Sequence, residues 1–252
     1  MNFKASFLLL ATSAQLSLSV EGALLAYYPF DTDFSDASGK GNDLAVGVGV
    51  PTVTTTTGEH AFGGGALDLN STISNQVYLN LTNPITVGAT DAWSVAFWAR
   101  HRPGNDGRTG MIVGDLTAAD FIWIPREGAV AGLRFRNSAS GTANYTTPPA
   151  GFEPAGVYHH YAVVADGAGN VEVFYDNASL GTTTIATNFD ITSVGQAFNQ
   201  KTQSMNGQID ELYIYDEAID SARVNELFTG VPEPSSLGLL GLASVMLLRR
   251  RR

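Results

Sequence analysis

The chain contains no cysteine. Disulfides, zinc–thiolate centres and cysteine nucleophiles are therefore excluded, and stability has to come from the core or from a bound metal. Helical periodicity is almost missing between residues 23 and 230, and there is neither an internal repeat nor a break marking a second domain. Several catalytic patterns are absent too. No Glu-x-Asp-x-Glu triplet occurs, so no strand carries a nucleophile and an acid on one face at the separation that glycoside cleavage needs. No Gly-x-Ser-x-Gly marks a serine hydrolase, and no acidic loop has the EF-hand spacing.

What is present begins at the two ends. Met1 to Lys4 supplies a small positive start, Ala5 to Val20 is apolar and hydroxylic without a charge, and Gly22 and Ala23 offer small residues for cleavage. This is the pattern of a secretory signal peptide over residues 1–22. A retained N-terminal anchor is the alternative, disfavoured by the Ser, Thr and Gln residues of the apolar stretch, and Glu21 leaves the cut open by a few residues.

At the other end, Val231-Pro232-Glu233-Pro234-Ser235-Ser236 precedes an uncharged run, Leu237 to Leu248, that stops at Arg249, Arg250, Arg251 and Arg252. The prolines isolate this tail from the domain before it. An apolar run ending in cations is held at the cytoplasmic face of a bilayer. The 14 residues of 235–248 are short against the roughly 20 that span comfortably, which makes this a marginal or transient transmembrane helix. A buried core helix with a basic end is the alternative, but nothing polar marks a second face and the glycines disfavour it.

The order of Pro-Glu-Pro, apolar segment and terminal arginines resembles the PEP-CTERM sorting signal of Gram-negative bacteria. The resemblance implies that residues 231–252 are read in the inner membrane by an exosortase and cleaved near Pro232, Glu233 and Pro234. It also implies delivery to the cell envelope or outer surface, often in organisms that make exopolysaccharide.

Without the two targeting segments the basic residues fall to nine and the acidic ones to 22, a net charge of −13 over the remaining 210 residues. Such a body repels nucleic acid and anionic lipid and suits cations or neutral ligands better. Short apolar stretches recur with turn residues between them, predicting strands near 24–30, 66–69, 77–81, 93–101, 111–115, 121–125, 133–137, 158–165, 171–175 and 209–215. Trp93, Val95, Phe97 and Ala99 alternate with Ser94, Ala96, Trp98 and Arg100, as a half-buried antiparallel strand requires. Asp166-Gly167-Ala168-Gly169-Asn170 is a hairpin loop between two such runs. One short helix is expected over 221–228, capped by Asp220 or Ser221. Many antiparallel strands in one domain, residues 23–230, predict an all-β fold of two packed sheets, a sandwich or jelly roll.

The blocks Tyr27-Tyr28-Pro29-Phe30-Asp31, Asp36 to Leu44, Phe62 to Leu67, Trp93 to Trp98, Tyr158 to Val164 and Gly207 to Tyr215 resemble, in order, the laminin-G-like, concanavalin A-like jelly rolls. Tyr158 stands where that family commonly has Trp, and both fill a core position.

Two sets of residues are candidates for binding. Asp31, Asp33, Asp36, Asn42 and Asp43 form the densest oxygen-rich loop, with Gly39 and Gly41 letting it turn sharply, and calcium takes six to eight oxygens from such groups. Asx-rich turns without metal are the alternative. Strict alternation on the last strand puts Asp210 with Leu212 and Ile214 on an apolar face, where a carboxylate needs a partner. The resemblance implies that this aspartate coordinates calcium, so a structural calcium ion held by Asp31 and Asp210, with Asp36 and Asn42, is expected. The second set is Trp98 with Arg100, Trp123, and Arg134 with Arg136, which would line a concave sheet and meet sugar rings and hydroxyls. Trp93 is assigned to the core, and Trp123 can be read either way. His159 and His160 point to opposite faces of a strand and cannot share one metal, while His60 and His101 have no local partner. The expectation is an exported surface module that binds extracellular carbohydrate or matrix rather than an enzyme. A divergent polysaccharide-cleaving enzyme of the same fold and a purely structural surface protein remain the alternatives.

Overall fold

A computed structural model describes residues 24–72, 74–102, 110–124, 133–144, 156–198 and 203–230. The signal peptide of residues 1–22, the Pro-Glu-Pro segment, the transmembrane run 235–248 and the terminal arginines lie outside the described residues. Among the described residues, no helix is long and apolar enough to cross a membrane.

Two antiparallel sheets pack face to face as a jelly-roll-like sandwich. The first contains β13 (Ala178–Thr184), β12 (Asn170–Tyr175), β11 (His159–Asp166), β6 (Ala92–His101), β15 (Asn206–Tyr215), β4 (Ala66–Asn70) and β3 (Thr52–Thr54) in that order, with β1 (Leu24–Tyr28) also paired to β15. The second runs β10 (Gly141–Asn144), β9 (Arg134–Asn137), β8 (Phe121–Ile124), β7 (Gly110–Gly114), β14 (Phe189–Val194), β5 (Tyr78–Val87) and β2 (Leu44–Val48).

Alternation decides which side chains enter the core. Trp93, Val95, Phe97 and Ala99 of β6 point inward, with Tyr161, Val163 and Ala165 of β11 and Phe135 of β9. Trp93 packs its ring against Phe135 and Phe189 at centroid distances of 5.3 and 5.1 Å and donates Nε1–H to the Thr187 carbonyl, so its polar atom is satisfied in the interior. Asp166 accepts from the backbone of Ala168 and Asn170 and closes the β11–β12 hairpin, as its loop composition suggests.

β15 departs from simple alternation. Its pairing with β6 shifts register between Asp210 and Tyr213, and Glu211 adopts φ +49°. The irregularity flips parity, so that Ile209, Leu212 and Ile214 all enter the core while Asp210 does not. The expectation that Asp210 shares a face with Leu212 and Ile214 is thus corrected: a two-residue period holds only where no residue is inserted.

The helix α1 (Ser221–Thr229) starts at Asp220, whose carboxylate accepts from the Arg223 backbone N–H, and stops at Gly230 in the left-handed conformation at φ +67°. Its Val224 and Leu227 pack on the outer side of the first sheet with Ala96, Ala162, Val164, Phe174 and Tyr215, forming a second, smaller core. Part of that sheet's outer face is thereby roofed, which bears directly on where a ligand has access.

Candidate functional site

The roof accounts for Trp98. Its ring stacks on Phe228 of α1 at 5.6 Å, meets Phe62 edge-on at 5.5 Å and lies against His160 at 5.4 Å. Trp98 is thus a packing residue between sheet, helix and the loop around Phe62. Arg100 is equally engaged and only 8% exposed. It donates Nε–H to Gln208 at 2.8 Å and Nη1–H to the Gly156 carbonyl at 3.2 Å, lies 3.5 Å from Glu59, and sits over the Tyr158 ring. Arg100 therefore presents no free surface to a sugar, and the half-buried Trp98 is engaged by three aromatic neighbours. His160 is buried in the same aromatic cluster, and burial pushes its pKa down to about 4, so it is neutral. His159 instead pairs with Asp176 at 2.7 Å, which confirms the opposite orientation of the two rings.

The four oxygen ligands expected to share a calcium ion are not gathered. Asp36 is spent on its own loop, where Oδ1 accepts from the backbone of Tyr27 at 3.0 Å and Ser38 at 2.9 Å, and Oδ2 from Asn42 at 3.0 Å. Asn42 turns its amide to the Leu25 carbonyl at 2.7 Å. Asp31 accepts from the Gly64 backbone N–H. Asp210 is fully buried and takes backbone N–H groups from Ala61 at 2.7 Å, Phe62 at 3.1 Å and Glu211 at 2.9 Å. It fills the notch where β15 changes partner from β4, which pairs as far as Ile209, to β1, which begins at Leu212. Burial raises its pKa to about 7 against the pull of those N–H donors. Among the described residues no group of three or more acidic or histidine side chains could hold a metal ion. The set does not fit a shared calcium ion, because both oxygens of Asp36 and of Asp210 already accept backbone amide hydrogens and Asn42 is turned to the Leu25 carbonyl.

The second sheet's outer face is organised differently. Strand alternation sends Ile122, Ile124 and Phe135 into the core and leaves Phe121 and Trp123 of β8 and Arg134 and Arg136 of β9 on the outside. Register pairs Phe121 with Arg136 and Trp123 with Arg134. Each guanidinium then lies over a ring, Arg134 at 4.5 Å from Trp123 and Arg136 at 5.9 Å from Phe121. Trp123 is 6% exposed and packs with Met111, Phe121 and Ala197, so its indole is a base for Arg134 rather than an open platform. Arg136 is exposed, and Thr142 beside it across β10 is exposed too. Burial, and then the charge of Arg136, push the pKa of Arg134 down. The expected set of Trp98, Arg100, Trp123, Arg134 and Arg136 is thus split between opposite outer faces, and only the last three come together.

Sequence reasoning missed a further feature. Tyr27 and Tyr213, paired across β1 and β15, stack at 4.2 Å with planes 7° apart, and both hydroxyls donate to one oxygen of Glu211, at 2.8 and 2.6 Å. With Phe62, Gly63, Glu226, Leu227 and Gly230 they line a cavity of about 240 Å³. Burial raises the Glu211 pKa, and Glu226 is held by Arg223 at 2.9 Å. The signal lay in Tyr27 and the Glu211–Tyr213 pair, but only the irregularity at Glu211 turns its carboxylate towards both phenols.

The sequence model of the concanavalin A-like lectin/glucanases superfamily matches residues 73–225, and that of the PEP-CTERM protein-sorting motif matches residues 230–252. No curated protein sequence matches the chain. Among solved structures, the fold is similar to domain 4 of AbnA, a GH43 extracellular arabinanase from Geobacillus stearothermophilus, in complex with arabinotriose. That likeness has a TM-score of 0.63 at 21% identity over 82% of this chain and 98% of the other. The binding domain of Paraclostridial Mosquitocidal Protein 1 is similar at a TM-score of 0.59 and 14% identity, over 82% of this chain and 52% of that one. The ligand-binding domain of botulinum neurotoxin serotype D, in complex with N-acetylneuraminic acid, gives 0.59 and 14%, over 83% and 51%. The chain spans about half the length of these two toxin structures. At such identities the likeness is one of fold.

Proposed function

The chain belongs to the concanavalin A-like lectin/glucanases superfamily and ends in a PEP-CTERM sorting motif, and from that premise we propose that it is an exported surface module that binds carbohydrate through the outer face of its second sheet. The motif implies export and C-terminal membrane anchoring in a Gram-negative bacterium. Removal of the tail by an exosortase and delivery to the envelope surface are part of the proposal. The observation that carries the binding role is the pair of guanidiniums of Arg134 and Arg136, held over Trp123 and Phe121 with no side-chain partner among the described residues. Planar donors fixed over an apolar base are the groups that orient a hydroxylated ring. The arabinotriose and N-acetylneuraminic acid complexes of the similar folds support this reading.

One observation favours an enzyme instead: Glu211 and Glu226 line the same cavity, and Glu211 has a raised pKa. Both carboxylates are committed, to two phenols and to Arg223 respectively, so the binding role stands first. A panel of neutral and charged polysaccharides, titrated into the full chain and assayed in parallel for new reducing ends, tests both. Binding without cleavage is expected. Cleavage that disappears in Glu211→Gln establishes the enzyme, and absence of both binding and cleavage leaves only a structural surface role. In a host with the sorting machinery, alanines at Pro232, Glu233 and Pro234 should abolish surface delivery, and unchanged delivery would refute the sorting half.

A further inference from the structure

Arg134 and Arg136 stand apart among the described arginines. Arg100, Arg102 and Arg223 each have a carboxylate partner, Glu59, Asp68 and Glu226 respectively. Arg134 and Arg136 have neither an ion pair nor a side-chain hydrogen bond among the described residues. This is not for want of acids, since acidic residues outnumber basic ones by 24 to 14 over the chain. Asp120, next to Phe121 in sequence, accepts instead from the Ser138 backbone N–H. Two like charges on adjacent outward positions of β9 therefore stand uncompensated, although each costs the other stability.

Two further observations say what they await. The Nε–H of Arg134 is buried and has no acceptor, and the indole Nε1–H of the 94%-buried Trp123 beneath it has none either. Buried donors left without acceptors are costly. Trp98 Nε1 and Arg102 Nε also lack one, but Arg102 is paired with Asp68 and Trp98 lies under α1. Here the two donors lie together beside a guanidinium that no described carboxylate neutralises, a place for an acceptor from outside. Each guanidinium lies over a ring, Arg134 at 4.5 Å from Trp123 and Arg136 at 5.9 Å from Phe121, and Arg136 is exposed to solvent. A neutral sugar hydroxyl would satisfy a donor and leave both charges bare. A carboxylate or sulfate satisfies donors and charge together, with charge-assisted bonds about twice as strong as neutral ones.

We propose that the ligand of this face is an anionic polysaccharide, bearing uronate carboxylates or sulfate esters, with Arg134 and Arg136 reading its charge. This rests on the carbohydrate-binding reading of the same face and narrows its ligand class. It also reverses locally what composition favours, because the acidic body repels a polyanion at long range and recognition depends on contact.

The test titrates the full chain in detergent with four polymers of comparable length: neutral arabinan, dextran, dextran sulfate and polygalacturonate. Binding to polygalacturonate, dextran sulfate or both, at least tenfold tighter than to either neutral polymer, is expected, and the two charged arms distinguish carboxylate from sulfate. The Arg134→Gln, Arg136→Gln double variant should lose that preference by tenfold or more while its melting temperature stays within about two degrees of wild type. Arg223→Gln, which removes an arginine already paired with Glu226, should keep it. Neutral polymers bound as tightly as charged ones would overturn the anionic inference and leave carbohydrate binding standing, and no binding to any polymer would overturn both. A charge preference unaltered in the double variant would place the site elsewhere and refute the assignment.

Discussion

The outer faces of the two sheets carry the same kind of pair, a tryptophan beside an arginine, and put it to opposite uses. On the first sheet Trp98 is roofed by Phe228 and Phe62, and Arg100 is tied to Gln208, Gly156 and Glu59. On the second sheet Trp123 lies under Arg134, whose guanidinium is bound to nothing else among the described residues. What separates them is position in the chain rather than residue type. β15 leads straight into the turn before α1, so the helix that ends the domain falls back on the first sheet and completes a second core there. Alternation shows which side chains leave the main core, but not which of them a later element covers.

The comparison breaks first at Trp98. Removing the indole opens the contact between sheet, helix and the Phe62 loop, so Trp98→Ala should destabilise the domain by about 3–4 kcal/mol in urea unfolding and leave polysaccharide affinity unchanged. The Arg134→Gln, Arg136→Gln variant should do the reverse. If Trp98→Ala keeps full stability and loses ligand, the roles of the two faces have been exchanged.

A somewhat smaller effect follows from two buried ionisable groups of the roofed face, whose pH dependences oppose each other. Burial lowers the His160 pKa from 6.5 to about 4, so the folded state holds fewer protons there than the unfolded one, and its contribution to stability falls as pH drops from 6.5 towards 4. Each unit stands for about 1.4 kcal/mol, making this roughly 3 kcal/mol. Burial raises Asp210 from 3.8 to about 7, so the folded state holds more protons, and its contribution falls as pH rises over that window. The wild type should therefore show a shallow profile between pH 4 and 7. Thermal unfolding of His160→Gln should reveal stability decreasing with pH, and Asp210→Asn stability increasing with pH. Parallel profiles in the two variants would mean that these groups do not control the acid range.

How much of this was legible in the sequence depended on whether the deciding contact is local. The interior of β6, the Asp166–Asn170 hairpin and the Asp220-capped helix follow from alternation, turn chemistry and capping within a few residues. β2, β3, β10, β13 and β14 escaped notice. β13 is an edge strand of exposed Thr and Ser residues, and β2 leaves Val46 and Val48 to solvent, so neither shows an inward apolar face. At the binding face, the alternation of Arg134 and Arg136 was visible, but the rings beneath them come from another strand and needed the β8–β9 register. The stacked Tyr27 and Tyr213 lie far apart in sequence and meet only because the first and last strands, β1 and β15, pair within one sheet.

The smallest effect expected is none at all, and it concerns calcium. A cation linking the first loop to the last strand requires free oxygens from the carboxylates of Asp31, Asp36 and Asp210 and the amide of Asn42 at one point. Asp36 and Asn42 close the 36–42 turn onto β1, whereas Asp31 and Asp210 serve the backbone of residues 61–64. Asp210 already does mechanically what the ion would do, since it ties the Ala61–Phe62 loop to β15 through amide donors. Its removal leaves those buried N–H groups without an acceptor, at about 1–3 kcal/mol, less the desolvation cost of the carboxylate that its raised pKa reports. Asp210→Ala should therefore lower the melting temperature by the same amount in chelator and in excess calcium, and the wild type should melt at one temperature in both. A ligand that bound the native state alone would shift that temperature with its concentration. A wild-type melting temperature that climbs as calcium is added, and a variant that no longer responds, would show that the ion displaces the backbone donors and that the two ends of the domain are joined through it.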